Sequence, residues 1–322
     1  MATYKDIKGF QIQYLDSDPA TSNVGQVWYN SATKALKGTV AGGGAAGTWS
    51  SGGALSNSYA YTGGAGTQGA ALSFGGYPNI ATSESYNGTS WTETNDLNTG
   101  RPQLGGSGAY TAAIAVGGQP STAAETFNGT SWTSVPSLAT ARGRSGVTGN
   151  SSSALCAGGY DGSNYIGINE KYDGSSWTEV GNLNTNRANQ GSAGTSTAAL
   201  TISGNGPSGV VTDVEQWNGT GWTEIASVNR ARGNAGSGGT VTTALFFGGE
   251  PSGENTEYYD GTSWTEVANL ATDRYQISRG NVGTAELGIC IGGTGPAGPN
   301  PILTATEEWV IPDTLTKTFT VS

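Results

Sequence analysis

"FNGTSW" (Phe127–Trp132) recurs in slightly varied form along this chain, as "YNGTSW" (Tyr86–Trp91), "YDGSSW" (Tyr172–Trp177), "WNGTGW" (Trp217–Trp222) and "YDGTSW" (Tyr259–Trp264). Working outward from the phrase exposes a longer unit. Trp49, Trp91, Trp132, Trp177, Trp222 and Trp264 stand 41 to 45 residues apart. Ten residues after each comes Tyr59, Arg101, Arg142, Arg187, Arg232 or Arg274. A glycine pair or its remnant follows: Gly75-Gly76, Gly117-Gly118, Gly158-Gly159, Ser203-Gly204, Gly248-Gly249 and Gly292-Gly293. A glutamate opens the next run (Glu84, Glu125, Glu170, Glu215, Glu257, Glu307), with an aromatic residue two positions later.

Each unit reads as four short strands. The first is Gly- and Ala-rich ("GGSGAYTA"), the second apolar ("AIAVGG"), the third carries Glu-x-aromatic ("ETF") and the fourth the tryptophan ("SWTSV"). Asn-Gly or Asp-Gly between the third and fourth predicts a type I′ hairpin turn, which needs φ > 0 at both central residues. Four-stranded units at this period predict propeller blades, with the Gly-rich strands at the crowded axis. Six units are visible. The sixth stops at "EEWV" (Glu307–Val310), and "GTWS" (Gly47–Ser50) is an orphan fourth strand ahead of the first. The expectation is therefore an all-β chain with a six-bladed β-propeller over residues 46–310. Its ring is closed by the N-terminal strand, which covers an otherwise open sheet edge. Residues 1–45 form a small β attachment segment, and residues 311–322, with "TKTFTVS" (Thr316–Ser322), a strand pairing back onto it.

Composition agrees with a packed β protein. The chain has 54 Gly but also nine Trp and fourteen Tyr. Gly or Pro interrupts every window of helical length, which argues against helices. A net charge of −10 disfavours binding to nucleic acid. No apolar run is long enough to span a membrane, and "MATYKDIKGF" lacks a signal-peptide core. Such a chain is expected inside a cell, or released at lysis as virion parts are. There is no histidine, which removes the commonest general base and the commonest transition-metal ligand. No cofactor or metal is expected. Cys156 and Cys290 lie in apolar runs and are expected as buried free thiols.

The apolar-apolar-Gly-Gly, aromatic and Trp pattern, with its preceding Arg, resembles kelch-type β-propellers over about residues 46–310. "ESYNGTSWTETNDLNTGR" and "GTSTAAL" resemble kelch-like proteins of tailed, marine-type bacteriophages. "VGQVWYNSATKALKG" (Val24–Gly38) resembles the opening segment of phage tail-fibre and other virion proteins, and reads as two strands around an Asn30–Thr33 turn. The kelch resemblance would also imply the copper enzyme galactose oxidase, whose chemistry needs histidine ligands that this chain lacks.

Residues repeated identically in every unit read as architecture. The tryptophan column is expected to pack between adjacent blades. The arginine column (Arg101, Arg142, Arg187, Arg232, Arg274) is expected to pair with the glutamates, or alternatively to line an anion site at the channel mouth; Tyr59 breaks its symmetry. The Asn-Gly-Thr sequons are read as turns. Spacing from the glycine pair to the glutamate varies from six to thirteen intervening residues, so insertions concentrate on one face. Rigid scaffolds carry recognition on such loops. Tyr160, Asp161, Asn164, Tyr165, Asn205, Glu250 and Asn300 are the candidate ligand-binding residues there. No catalytic pair stands out among the loop carboxylates, which leaves a polysaccharide hydrolase or lyase as a lesser alternative.

The function expected is non-catalytic: a phage virion protein, in a tail fibre or head appendage, displaying a propeller for binding a host-surface glycan receptor. A purely structural decoration protein is the alternative. Other virion proteins are the expected partners of residues 1–45, with a homo-oligomer in the particle and no nucleic acid or membrane insertion.

Overall fold

The computed structural model describes residues 12–21, 23–41, 46–295, 301–312 and 314–319. Among them there is no α-helix. Five four-stranded antiparallel sheets repeat along the chain. The first consists of Gly63–Thr67, Ala70–Phe74, Ser83–Tyr86 and Trp91–Thr94, side by side in chain order. The others occupy 105–135, 146–180, 191–225 and 236–266 in the same way.

The sequence pattern of each sheet follows from what covers it. Second strands such as Ala112–Val116 are buried at nearly every position, so they read as continuous apolar runs with neighbours on both faces. Phe74 of the first sheet meets Trp132 of the second with ring centroids 4.8 Å apart. First strands are glycine-rich because adjacent backbones nearly touch. A Cβ on Gly106 would stand 2.5 Å from the Gly64 carbonyl oxygen. Ser107 Oγ donates to Gly149 O, and Thr148 Oγ1 to Thr195 O, which ties these strands sheet to sheet. The arrangement is consistent with a β-propeller.

The hairpins differ from expectation. Each Asn-Gly or Asp-Gly opens a four-residue loop between the last paired residues, such as Phe127 and Trp132. Only the glycine takes positive φ (Gly129, 92°). The Asn128 side chain accepts hydrogen bonds from the N–H groups of Thr130 and Ser131, both at 2.9 Å. A side-chain cap thus does the work of the tighter turn.

The last sheet is the irregular one. It contains Leu287–Ile291, Thr306–Val310 and, antiparallel to the latter, Thr48–Ser51 from the N-terminal side. A regular innermost strand is missing from it. Instead residues 279–281 run across to three other sheets, through parallel bridges of Arg279 with Gly63, Gly280 with Gly106, and Asn281 with Ser237. The sequence departs from the repeat here: eighteen residues, not sixteen, separate Arg274 from Gly292.

A separate sheet orders Gln13–Leu15, Val27–Asn30, Ala35–Ala41 and Thr314–Phe319. The C-terminal strand lies antiparallel on Ala35–Ala41. The Asp18 carboxylate knits this sheet, accepting from the Trp28 indole at 3.0 Å and from Asn30 Nδ2 and Lys37 Nζ at 2.7 Å. The Asn30–Thr33 turn is held by Thr33 N–H donating to Asn30 Oδ1.

Candidate functional site

The arginine column is built into the sheets. Arg187 pairs with Glu215 at 2.7 Å and Arg232 with Glu257 at 2.9 Å; Arg101–Glu125, Arg142–Glu170 and Arg274–Glu307 are equivalent pairs. Each guanidinium also donates to the carbonyl of the first residue of its glycine pair, as Arg232 does to Gly248. The carboxylates in turn accept backbone N–H groups of the preceding inter-sheet connection: Glu257 takes those of Asn229 and Arg230. One buried pair therefore fixes both a glycine bend and a linker. Burial pushes the Arg232 pKa down to about 10, and Glu257 holds the charge in place. Four of the five arginines are fully buried and Arg101 nearly so, which leaves their charge facing protein rather than solvent.

The tryptophans sit at the seams between sheets. Trp132 Nε1 donates to Ser83 Oγ of the sheet before it, and Trp91 Nε1 to Thr306 Oγ1 of the last sheet. Each also stacks on the aromatic residue opposite it, as Tyr259 does on Trp264 at 5.0 Å. Trp177 and Trp222 occupy the corresponding places, and Trp49 donates to Thr256 Oγ1. Cys156 and Cys290 are buried and unbridged, and burial raises both thiol pKa values, that of Cys290 to about 12.

Residues that vary from sheet to sheet gather on the face where the glycine pairs end. Two positions after each column residue lies Tyr61, Gln103, Arg144, Asn189, Asn234 or Gln276, all with left-handed φ between 56° and 62°. Their backbones form a circuit. The N–H of Gln103 donates to Tyr61 O, Arg144 to Gln103, Asn189 to Arg144, Asn234 to Asn189 and Gln276 to Asn234. Finally Tyr61 N–H donates to Gln276 O at 3.0 Å. These bonds hold six non-glycine residues of four kinds (Tyr, Gln, Arg and Asn) in a conformation that otherwise favours glycine. A second row stands beside the first, one residue after each glycine pair: Tyr77, Gln119, Tyr160, Asn205, Glu250 and Thr294.

Three loop candidates therefore belong to this face's centre. Tyr160 lies beneath the Arg144 guanidinium at 5.0 Å, and Asn205 Oδ1 accepts from Asn189 Nδ2 at 2.9 Å. Glu250 is exposed beside Gly233, to which its backbone bridges. The remainder lie farther out. Tyr165 faces Tyr160 across a hairpin, with rings 5.7 Å apart. At its tip Asp161 accepts the N–H groups of Ser163 and Asn164, which lowers the Asp161 pKa and makes it a turn residue. Asn300 lies outside the described residues. Sequence reasoning missed Arg279, which lies on this face, with its Nη2 donating to Asn234 Oδ1 at 2.5 Å and its guanidinium 5.6 Å from the Tyr61 ring centre. The available signal was its position five residues after Arg274, where the other units carry Gly64, Gly106, Val147, Ser192 and Ser237.

No protein-family model matches the chain, and no curated protein matches it in sequence. Among solved structures it is similar to the one described as "Structure of YjhT", with a TM-score of 0.66 and 12% identity, covering 82% of this chain and 99% of that one. At that identity the likeness shows the fold alone: an all-β, β-propeller-like architecture of four-stranded antiparallel sheets.

Proposed function

We propose that the chain is a six-bladed, ring-closed propeller of kelch type that serves as a non-catalytic virion protein of a tailed phage, displayed on a tail fibre or head appendage to bind a host-surface glycan. Closure is supported by the hydrogen-bond circuit that returns from Gln276 to Tyr61 and by the antiparallel seat of Thr48–Ser51 on Thr306–Val310. The observation that carries the binding role is the contrast between two sets of positions. Arg, Glu and Trp repeat almost without change where they hold the sheets together. The two rows on one face follow no such repeat: Tyr, Gln, Asn, Arg, Glu and Thr are mixed around it, and they combine aromatic rings with amides, the groups that stack on and hydrogen-bond to sugars. Attachment falls to the separate N-terminal sheet, whose exposed Ile12, Tyr14, Val24 and Phe319 offer apolar surface to other virion proteins or to further copies of the chain.

Adsorption tests this reading. Purified protein is expected to bind host cells saturably and to compete with phage for them. Protein that does neither sinks the receptor role and favours a structural decoration. Turnover of host polysaccharide, lost on replacing a single loop carboxylate, favours an enzyme.

A further inference from the structure

The chain has eight arginines. Five pair with glutamates inside the sheets, and Arg230 pairs with Glu266 on the surface. Arg144 and Arg279 are the two with no carboxylate within 4.0 Å among the described residues. They come from different sheets, yet both sit on the backbone circuit of the variable face: Arg144 is a member of it, and Arg279 donates to Asn234 and lies over Tyr61, two other members. We propose that Arg279 and Arg144 form an oxyanion site there, which receives the carboxylate or sulfate group of an acidic saccharide.

Arg279 is 4% exposed. An isolated buried cation is costly, and a neutral amide such as Asn234 compensates only part of that cost. Its Nε has no partner. Burial brings its pKa down to about 10, which still leaves it charged at neutral pH. Asn189, 6% exposed, keeps a buried Oδ1 without a partner, an acceptor suited to a sugar hydroxyl. Tyr160 beneath Arg144 and Tyr61 beneath Arg279 supply aromatic surface. Arg144 is oriented by its Nε donating to Gln103 Oε1 at 3.0 Å. The exposed Glu250 is the acidic group within electrostatic reach of Arg279 and Tyr61. One carboxylate against two guanidiniums leaves the balance for a singly charged group. A guanidinium fork suits the planar carboxylate and the sulfate oxygens alike.

This inference rests on the glycan-binding reading and narrows its ligand class. Titration calorimetry of the full chain with sodium glucuronate, glucose 6-sulfate and neutral glucose tests it. At least one anionic sugar is expected to bind saturably, on the order of tenfold tighter than glucose. Binding of glucuronate alone identifies a carboxylate ligand, and of the sulfate ester alone a sulfated one. Arg279→Gln is expected to weaken binding about tenfold or more. Because that change removes a buried group, Arg144→Gln, on a half-buried side chain, is the companion variant and is expected to weaken binding severalfold. Anionic sugars that bind no better than glucose, or equally well to Arg144→Gln, overturn the site. The adsorption result is independent: anion binding without host adsorption retains the site and discards the receptor role, and the converse discards the site alone.

Discussion

Trp309 stands directly opposite Trp49 across an antiparallel strand pair, with rings 5.6 Å apart, although the two lie near opposite ends of the chain. Trp309 is fully buried and Trp49 partly so. Trp49 also packs edge-on against Phe247 of the neighbouring sheet at 4.9 Å. The N-terminal strand therefore supplies half of a seam that local sequence cannot supply. Trp309→Ala is expected to cost about 3–5 kcal/mol. Trp49→Ala should cost less, and the double variant less than the sum of the two. Urea unfolding followed by fluorescence measures all three; strict additivity would refute the shared seam.

Arg232 and Glu257 are both 0% exposed. Arg232→Met leaves the carboxylate buried without its cation, a loss of about 3–5 kcal/mol. In Glu257→Gln the guanidinium is stranded instead, while one acceptor remains for the N–H groups of Asn229 and Arg230. The two together are expected to cost about 1–3 kcal/mol less than the sum of the single changes. A coupling below about 0.5 kcal/mol in equilibrium unfolding would show that the pair does not act as a unit.

Why the structural columns were legible and the candidate site was not has a physical basis. Each sheet poses the same packing problem, so each solves it with the same Trp, Arg and Glu at constant spacing. The row from Tyr61 to Gln276 gives no such sign, because its left-handed backbone is held by hydrogen bonds between sheets rather than by glycine. Arg279 was hidden for a different reason. Its stretch was read as one more inner strand, whereas the two extra residues before Gly292 let it cross toward the other sheets. Insertion lengths pointed to the face on which the two rows lie. They also singled out hairpin tips such as Asp161, whose carboxylate accepts the N–H groups of its own turn.

Asp18 makes the N-terminal sheet sensitive to acid. Hydrogen bonds from Lys37, Asn30 and Trp28 hold its pKa at about 2, below the ordinary 3.8. A depressed carboxylate stabilises the fold fully above its unfolded value and ceases to do so as pH falls through the folded one. The stabilisation should therefore be intact above pH 4 and fade between about 4 and 2. NMR of the Trp28 indole N–H across that range is expected to give a midpoint near 2. A midpoint near 4, or a wild-type profile in Asp18→Asn, would show that the carboxylate is not engaged.

Gly280 is where the last sheet's inner stretch crosses the centre. Its φ is 134°, and a Cβ there would stand 2.0 Å from the Gly106 carbonyl oxygen and 2.7 Å from that of Gly64. Both obstacles are backbone, so neither can swing aside. Gly280→Ala is expected to lower stability by about 1–3 kcal/mol from backbone strain alone. Since Gly280 fixes the path of the neighbouring Arg279, the same variant should weaken binding of the anionic sugars. Gly69→Ala is the control: a Cβ there meets nothing within 4 Å, and stability should stay within about 0.5 kcal/mol of wild type. Thermal unfolding and calorimetry on both variants decide the matter. If Gly280→Ala behaves like Gly69→Ala, the close approach at the centre is not a constraint on the fold, and Arg279 is not held by it.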